Sequence, residues 1–302
     1  MAQTGGQPDR PMVGIAWMCT SMFLFVCLDA TARHLTQHYS VGQIPWVRFV
    51  IFVLFAVALI GPGNFAGAFR TSRPIFQIAR ALLMLAEIGT FTLAFRYLSV
   101  ADVHAVAAST PLMVTALAVV FLGEKVGLRR WIAVLIGFAA VIVILRPGVK
   151  ELYWYHLIPV LGAAFWAVYQ VMIRIVSRTD SSRTTLAYTA VIGAAIMTVI
   201  GPFDWQPPDL EGWGMLLLSG VLGAGAHYTL ILALGAAPAS HVQPFIYTTF
   251  LWALVIGLIA FGEFPDAVTV GAAGVIIAVG LYVMNRERQL AAAAARGQAK
   301  VG

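Results

Sequence analysis

The sequence predicts an all-α integral membrane protein with ten transmembrane helices, arranged as two inverted five-helix repeats. Three observations carry that fold class. Ten apolar stretches, each close to the roughly 20 residues a helix needs to cross a bilayer, follow one another between residues 12 and 284 with only short polar turns between them. The composition, 60% hydrophobic and 11% charged over 302 residues, leaves too few charges to cover a water-soluble globule of this length. The second half of the chain also repeats the first at a fixed offset. In hydrocarbon every backbone polar group must be satisfied internally, so only helices or a closed barrel can span, and strand-like alternation is absent.

Taken in order, the spans are placed at 12–28 with an extension to 35, 44–60, 75–98, 101–122, 128–145, 155–176, 184–200, 213–234, 242–261 and 267–284. Helix stops divide them: Gly61-Pro62-Gly63, Arg146-Pro147-Gly148, Gly201-Pro202 and the Pro207-Pro208 pair, while Ser72-Arg73-Pro74 reads as a start. The first ten residues carry one base and lead straight into further spans, which does not read as a cleavable signal. After Arg286 the chain is polar and alanine-rich, as in a fraying helix. The organisation is therefore a first five-helix repeat at 11–147, a second inverted one at 152–285, and a cytoplasmic tail at 286–302.

Charge sets the orientation. The formal net charge is +6, but the bases form no patch interleaved with aromatics, so no nucleic-acid partner is expected. With both termini inside, fourteen of the nineteen Lys and Arg residues fall on the cytoplasmic side, among them Arg70, Arg73, Arg80, Lys125, Arg129, Arg130, Arg174, Arg178 and Arg183. The loops 201–211 and 262–266, expected outside, hold none. These counts imply an even number of spans and a multi-pass chain in the inner membrane with cytoplasmic termini.

A shift of 139 positions lays 94–124 over 233–263 without a gap. Val103 meets Val242, and both copies end on Gly-Glu, at Gly123-Glu124 and Gly262-Glu263. Five spans per copy invert the second relative to the first, and the loop bearing Lys125, Arg129 and Arg130 matches a loop with no base. Inverted repeats are the architecture of secondary transporters, in which the solute sits between the halves near the midplane.

The segment Ala94-Phe95-Arg96-Tyr97-Leu98-Ser99-Val100-Ala101, followed by Pro111 and Phe121-Leu122-Gly123-Glu124, resembles the third-to-fourth-span signature of the drug/metabolite transporter superfamily, EamA-type. Ala233-Leu234-Gly235-Ala236-Ala237-Pro238-Ala239-Ser240 and Phe261-Gly262-Glu263 resemble it a second time. One departure is visible, since the repeat equivalent of Pro111 is Phe250 and the second copy has Pro244 six residues earlier. The overall look is closest to bacterial amino-acid exporters, including those for aromatic amino acids. That resemblance implies outward movement of small zwitterions across the inner membrane, amino acids including aromatic ones first among small amphipathic organic solutes. Export of another metabolite or drug-like solute, or channel-like facilitation, is the alternative.

Candidate site residues follow from position within a span. Glu87 lies at the centre of the third span, where a carboxylate costs several kcal/mol unless it pairs, protonates or faces water. Two readings stand for it: a buried partner of an arginine such as Arg48 or Arg96, or a group that lines the substrate cavity or carries a proton. Asp29 and Arg33 have the i, i+4 spacing of a same-helix ion pair. His227, deep in span eight, offers a hydrogen bond to a polar solute, whereas His104, His241 and Gln243 sit at span starts. Trp166 and Trp252 fall at mid-span, away from the interfacial belt where most Trp and Tyr side chains belong, with Tyr169, Gln170 and Tyr247 nearby in sequence. Ser109, Thr110 and Pro111 mark a helix irregularity in span four.

Other features are structural. The glycine run 220–226 lies inside an apolar span and reads as close helix approach rather than a nucleotide loop, as do Gly271, Gly274 and Ala278. Cys19 and Cys27, about 12 Å apart along one helix at 1.5 Å per residue, cannot bridge. Metalloprotease and Gly-x-Ser-x-Gly motifs and an ATP-binding loop are missing, so neither an enzyme nor a cofactor is expected. The expected partners are a small-molecule substrate and the bilayer, and a monomer is compatible with the sequence.

Overall fold

The computed structural model describes residues 11–122, 128–146, 153–176, 179–236 and 243–298, and among these residues the chain is helical with no strand. The helices are α1 (Pro11–Leu35), α2 (Gln43–Ile60), the short α3 (Pro62–Phe65), α4 (Pro74–Tyr97), α5 (Val100–Ala107), α6 (Thr110–Leu122), α7 (Leu128–Leu145), α8 (Ile158–Val176), α9 (Ser182–Ile200), α10 (Leu210–Ala236), α11 (Thr248–Phe261) and α12 (Ala267–Gln298). Helix thus occupies each of the ten apolar stretches. Seven helical segments are long and apolar enough, by length and composition, to cross a membrane.

Local chemistry sets the boundaries. Pro74 opens α4 at its first turn, where a missing N–H costs nothing. Ser99 caps α5 by accepting from the Asp102 N–H, and Ser181 caps α9 by accepting from Thr184. Gly262, in the left-handed region at φ +65°, ends α11, and the Glu263 N–H returns to the Gly257 carbonyl at 3.2 Å. That turn aims Glu263 back at the bundle.

Span four is two helices. Pro111 has no N–H to offer the turn before it, and the Ser109 N–H bonds Val106 instead of continuing the α pattern, so α5 ends at Ala107 and α6 begins at Thr110. The ninth stretch is interrupted in kind, with a 3-10 turn over Gln243–Tyr247, containing Pro244, ahead of α11. The tail expected to fray past Arg286 is continuous helix with α12 as far as Gln298.

Packing runs mainly between the two halves of the chain. α1 lies on α10 and α4 on α8; α2 crosses α9, α7 meets α12, and α5 meets α11. Exchanging each stretch for the one five places along turns the first pair into the second and returns each of the other three to itself. The pairs α2 with α10 and α4 with α9, or α1 with α11 and α6 with α8, interconvert in the same way. Apolar side chains on the outer faces stay exposed, such as Leu54 at 65%, Leu135 at 65% and Ile259 at 80%, as a lipid-facing surface requires.

Two expectations need correction. Gly220 and Gly223 do permit close approach, because an added Cβ would meet Ile51 and the Arg48 guanidinium, but Gly271 and Gly274 face open space. Gly280 is the glycine of α12 that accommodates a neighbour, since a Cβ there would come 1.8 Å from the Tyr247 hydroxyl. Asp29 and Arg33 also do not pair with each other. His104 Nε2 lies 3.0 Å from Asp29 Oδ2, while Arg33 donates to Glu263 and to the Leu98 carbonyl.

Candidate functional site

Charged and polar side chains form a track along the interface between the two halves. At one end, the Gln37 end, where the Gln37 amide donates to the Arg96 carbonyl at 3.4 Å, Asp29 of α1 holds His104 of α5. Next comes Arg48, in the second turn of α2, whose charge acts on Asp29, on Glu87 of α4 and on His227 of α10. Glu87 in turn lies in the field felt by Tyr169 of α8. Tyr169 accepts from Arg80 at 3.4 Å, Arg80 Nε donates to Gln77 at 3.2 Å, and Gln77 donates to Asp180 at 2.7 Å, at the opposite or Asp180 end. Charge alternates along this path: Asp29, Arg48, Glu87, Arg80, Asp180. Alternation lowers the cost of carrying five ionisable groups through an apolar bundle.

The ends of the track are tied and its middle is open. Arg80 is fully buried, yet besides Gln77 and Tyr169 it donates to the Thr185 carbonyl at 2.8 Å and Thr189 Oγ1 at 2.7 Å, which clamps α4 to α9. Asp180 also accepts from Thr71, and the Tyr188 hydroxyl donates to Phe69 at 3.1 Å. At the Gln37 end Arg33 joins Glu263, Arg146 joins Asp266, and Gln43 exchanges bonds with Gln206 at 2.8 and 3.0 Å. Arg48 and Glu87 differ. Among the described residues neither has a hydrogen-bond or ion-pair partner, and both keep accessible surface although they sit well inside their helices.

Aromatic rings wall that middle. Trp166 stacks on Tyr169 with ring centres 5.1 Å apart and planes 21° from parallel. His227 is held edge-on between Phe25 at 5.1 Å and Phe52 at 5.4 Å. Phe52, Met84, Ile88, Tyr169 and Trp166 belong to one packed cluster, which brings α2, α4 and α8 around Glu87. Gly223 leaves room on α10 for the Arg48 guanidinium, as a Cβ there would lie 2.9 Å from Nε. A groove of about 540 Å³ between α4 and α8, lined by Gly89, Thr90, Leu93, Trp154 and Leu161, carries no charge and lies apart from the track.

Of the residues expected to form the site, Glu87, Trp166, Tyr169 and His227 are brought together, and half-buried Gln170 follows Tyr169 on α8. Tyr247 and Trp252 lie elsewhere. Trp252 packs edge-on to Phe23 at 5.1 Å among Met18, Met22 and Ala233, and Tyr247 points into the notch at Gly280. Both carry a buried polar atom without a partner, as does Thr110. His241 and the Gly123-Glu124 motif fall outside the described residues. Arg96, offered as one partner for Glu87, is exposed at the end of α4, so Arg48 is the arginine that acts on it. Arg80, one of the cytoplasmic-side bases by charge count, is a buried member of the track. Its place seven residues into the span, one turn after Gln77, is the signal that it lies inside.

The EamA-like transporter family model matches residues 12–146 and again 153–286. The chain belongs to the EamA-like transporter family. Among curated relatives, a riboflavin transporter of Vibrio cholerae is 27% identical over 93% of this chain and 98% of its own. An S-adenosylmethionine uptake transporter of Rickettsia bellii is 25% identical, covering 92% and 95%. A pseudopaline exporter of Pseudomonas aeruginosa is 23% identical, covering 91% and 97%. One crystal structure superposes with a TM-score of 0.64 at 17% identity over 92% of this chain and 98% of that one, a likeness of fold. The protein is thus a multi-pass membrane transporter of the EamA family.

Proposed function

We propose that this EamA-family protein is a secondary transporter of small amphipathic organic solutes bearing a ring system, working by alternating access between two inverted five-helix repeats. The observation that carries the reading is the open middle of the track: half-buried Arg48 and Glu87, walled by Trp166, Tyr169 and His227, at the interface where the two halves pack. The packing pairs that interconvert under a five-helix exchange and the double family match support the repeats. In this reading the repeats span 11–147 and 152–285, the chain crosses ten times, and the Asp180 end, the termini and the tail at 286–302 are cytoplasmic, in keeping with the bias of Lys and Arg.

The relatives are named for riboflavin, S-adenosylmethionine and pseudopaline, two carrying a direction in their names and those directions opposed. Ring-bearing metabolites are therefore the favoured cargo, with aromatic amino acids as the smallest members of the class. Counterflow into proteoliposomes loaded with riboflavin, S-adenosylmethionine or aromatic amino acids tests this. Exchange of at least one ring-bearing solute, and none of small aliphatic amino acids, is expected; no exchange of any ring-bearing solute would overturn it. Reporters active on one side of the membrane, fused at Pro208 and after Gly302, should give opposite signals, and matching signals would refute the ten-span topology.

A further inference from the structure

We propose that Arg48 and Glu87 form a two-point receptor for a zwitterionic headgroup, a carboxylate on Arg48 and an ammonium or sulfonium on Glu87, with the solute's ring laid against Trp166 and Tyr169. This rests on the transport reading above and names the chemistry of its cargo.

Opposite charges this deep in an apolar bundle attract strongly. At an effective dielectric constant of about 20 the attraction is roughly 4 kcal/mol at 4 Å, more than the cost of turning a side chain into a favourable rotamer. Arg48 and Glu87 feel each other, yet no nitrogen-to-oxygen contact joins them. Every other charge of the track that lies within the helices has found a bonded partner: Asp29 has His104, and Arg80 has Gln77, Tyr169, Thr185 and Thr189. Arg48 and Glu87, at the centre, are the two charges left without one among the described residues.

Packing explains how they are held apart. The Arg48 side chain is led toward α10, where the absence of a Cβ at Gly223 receives it. Glu87 stands on α4 between Met84 and Ile88, which pack into the cluster with Phe52 and Tyr169. A gap between a guanidinium and a carboxylate is matched by a group with the reverse order of charges. Guanidinium binds a carboxylate through two parallel N–H donors, a geometry that ammonium cannot supply, while Glu87 accepts from an ammonium or faces a sulfonium. Such a headgroup neutralises both protein charges as it loses its own hydration, so neither partner is left unpaired in the bundle. The nearly parallel Trp166 and Tyr169 rings then offer a flat wall one turn of α8 long.

The test uses the full-length protein in detergent and four probes that share an indole ring: L-tryptophan, tryptamine, indole-3-propionate and indole. Binding is read as competition against tritiated L-tryptophan and, in parallel, as thermal stabilisation. L-Tryptophan is expected to bind at least tenfold more tightly than any probe lacking one or both charges. Arg48→Gln should abolish the preference for L-tryptophan over tryptamine and keep that over indole-3-propionate; Glu87→Gln should do the converse. Arg48→Lys, which keeps charge but loses the bidentate fork, should give an intermediate preference and shows that loss in Arg48→Gln is not misfolding. Equal binding of the four probes by wild type, no binding of L-tryptophan, or preferences unchanged in both Gln variants would overturn the proposal. Counterflow of riboflavin by the same protein reconstituted into proteoliposomes separates the two readings: exchange with flat probe preferences defeats only the headgroup receptor, and selective binding without exchange of any solute defeats only the transport reading.

Discussion

Arg80 of α4 donates to the Tyr169 hydroxyl of α8 at 3.4 Å, and its guanidinium carbon lies 5.5 Å from the centre of the same ring. One side chain thereby joins the first half of the chain to the second at the foot of the aromatic wall. Four acceptors depend on it, so Arg80→Ala is expected to destabilise the protein by about 3 kcal/mol, the cost of orphaning buried polar groups. Thermal unfolding in detergent checks this. Arg80→Lys, able to reach fewer of the acceptors at once, should fall between the two.

The two mid-span tryptophans should behave differently. Trp166→Ala removes one face of the wall around Glu87 and should reduce exchange of ring-bearing solutes at least tenfold while the protein still folds. Trp252 is packed among Met18, Met22 and Phe23, so Trp252→Ala should cost about 3 kcal/mol or more of stability. Trp252→Phe should be tolerated within about 1.5 kcal/mol, because the indole N–H it discards has no partner.

The notch at Gly280 predicts a coupled pair. Gly280→Ala would drive a methyl into the Tyr247 hydroxyl and should cost about 1–3 kcal/mol. Tyr247→Phe removes that hydroxyl, which has no hydrogen-bond partner, and should restore part of the loss in the double variant. Additive losses in a thermal-unfolding cycle would show that the two positions are not in contact.

Acid should loosen the Asp180 end. Burial pushes the Asp180 carboxyl up, but hydrogen bonds from Thr71, Gln77 and Thr179 and the Arg73 charge outweigh it and hold the group below its ordinary 3.8. A carboxyl depressed in the folded state contributes stability above its unfolded value and loses it as pH falls through the folded one. Wild type should therefore lose its advantage over Asp180→Asn as pH drops below about 4, and the two unfolding curves should converge. A constant difference from pH 7 to pH 3 would remove Asp180 from the tie.

Much of this bundle was legible in the sequence because its apolar runs have the length of spans and proline and glycine punctuate them. Mid-span position also pointed to Glu87, Trp166, Tyr169 and His227. Depth alone does not say which way a helix faces, however, and that is why Trp252 and Tyr247, equally deep, turn out to pack against α1 and α12 instead of the track. The i, i+4 spacing of Asp29 and Arg33 suggested a local pair, but His104 and Glu263, brought in by the broken span and by the left-handed turn at Gly262, compete for them at closer range. Arg80 lies within the span read at 75–98 and counts with the cytoplasmic-side bases because it stands near that span's end; that it turns inward depends on Tyr169, Thr185 and Thr189, acceptors on other helices that spacing along α4 does not reveal.

The reach of water to Glu87 is the most direct measure of the open middle of the track. Replacing Cys19 and Cys27 by Ala and then introducing Glu87→Cys gives one thiol at the centre of α4; Leu82→Cys, at a position 43% exposed on the outer face, gives a lipid-side control. In proteoliposomes a small, charged, water-borne thiol reagent should label Glu87→Cys at least tenfold faster than Leu82→Cys, and a transported solute should protect it. Labelling of Glu87→Cys as slow as that of Leu82→Cys would mean that no aqueous path reaches the charges between the two halves.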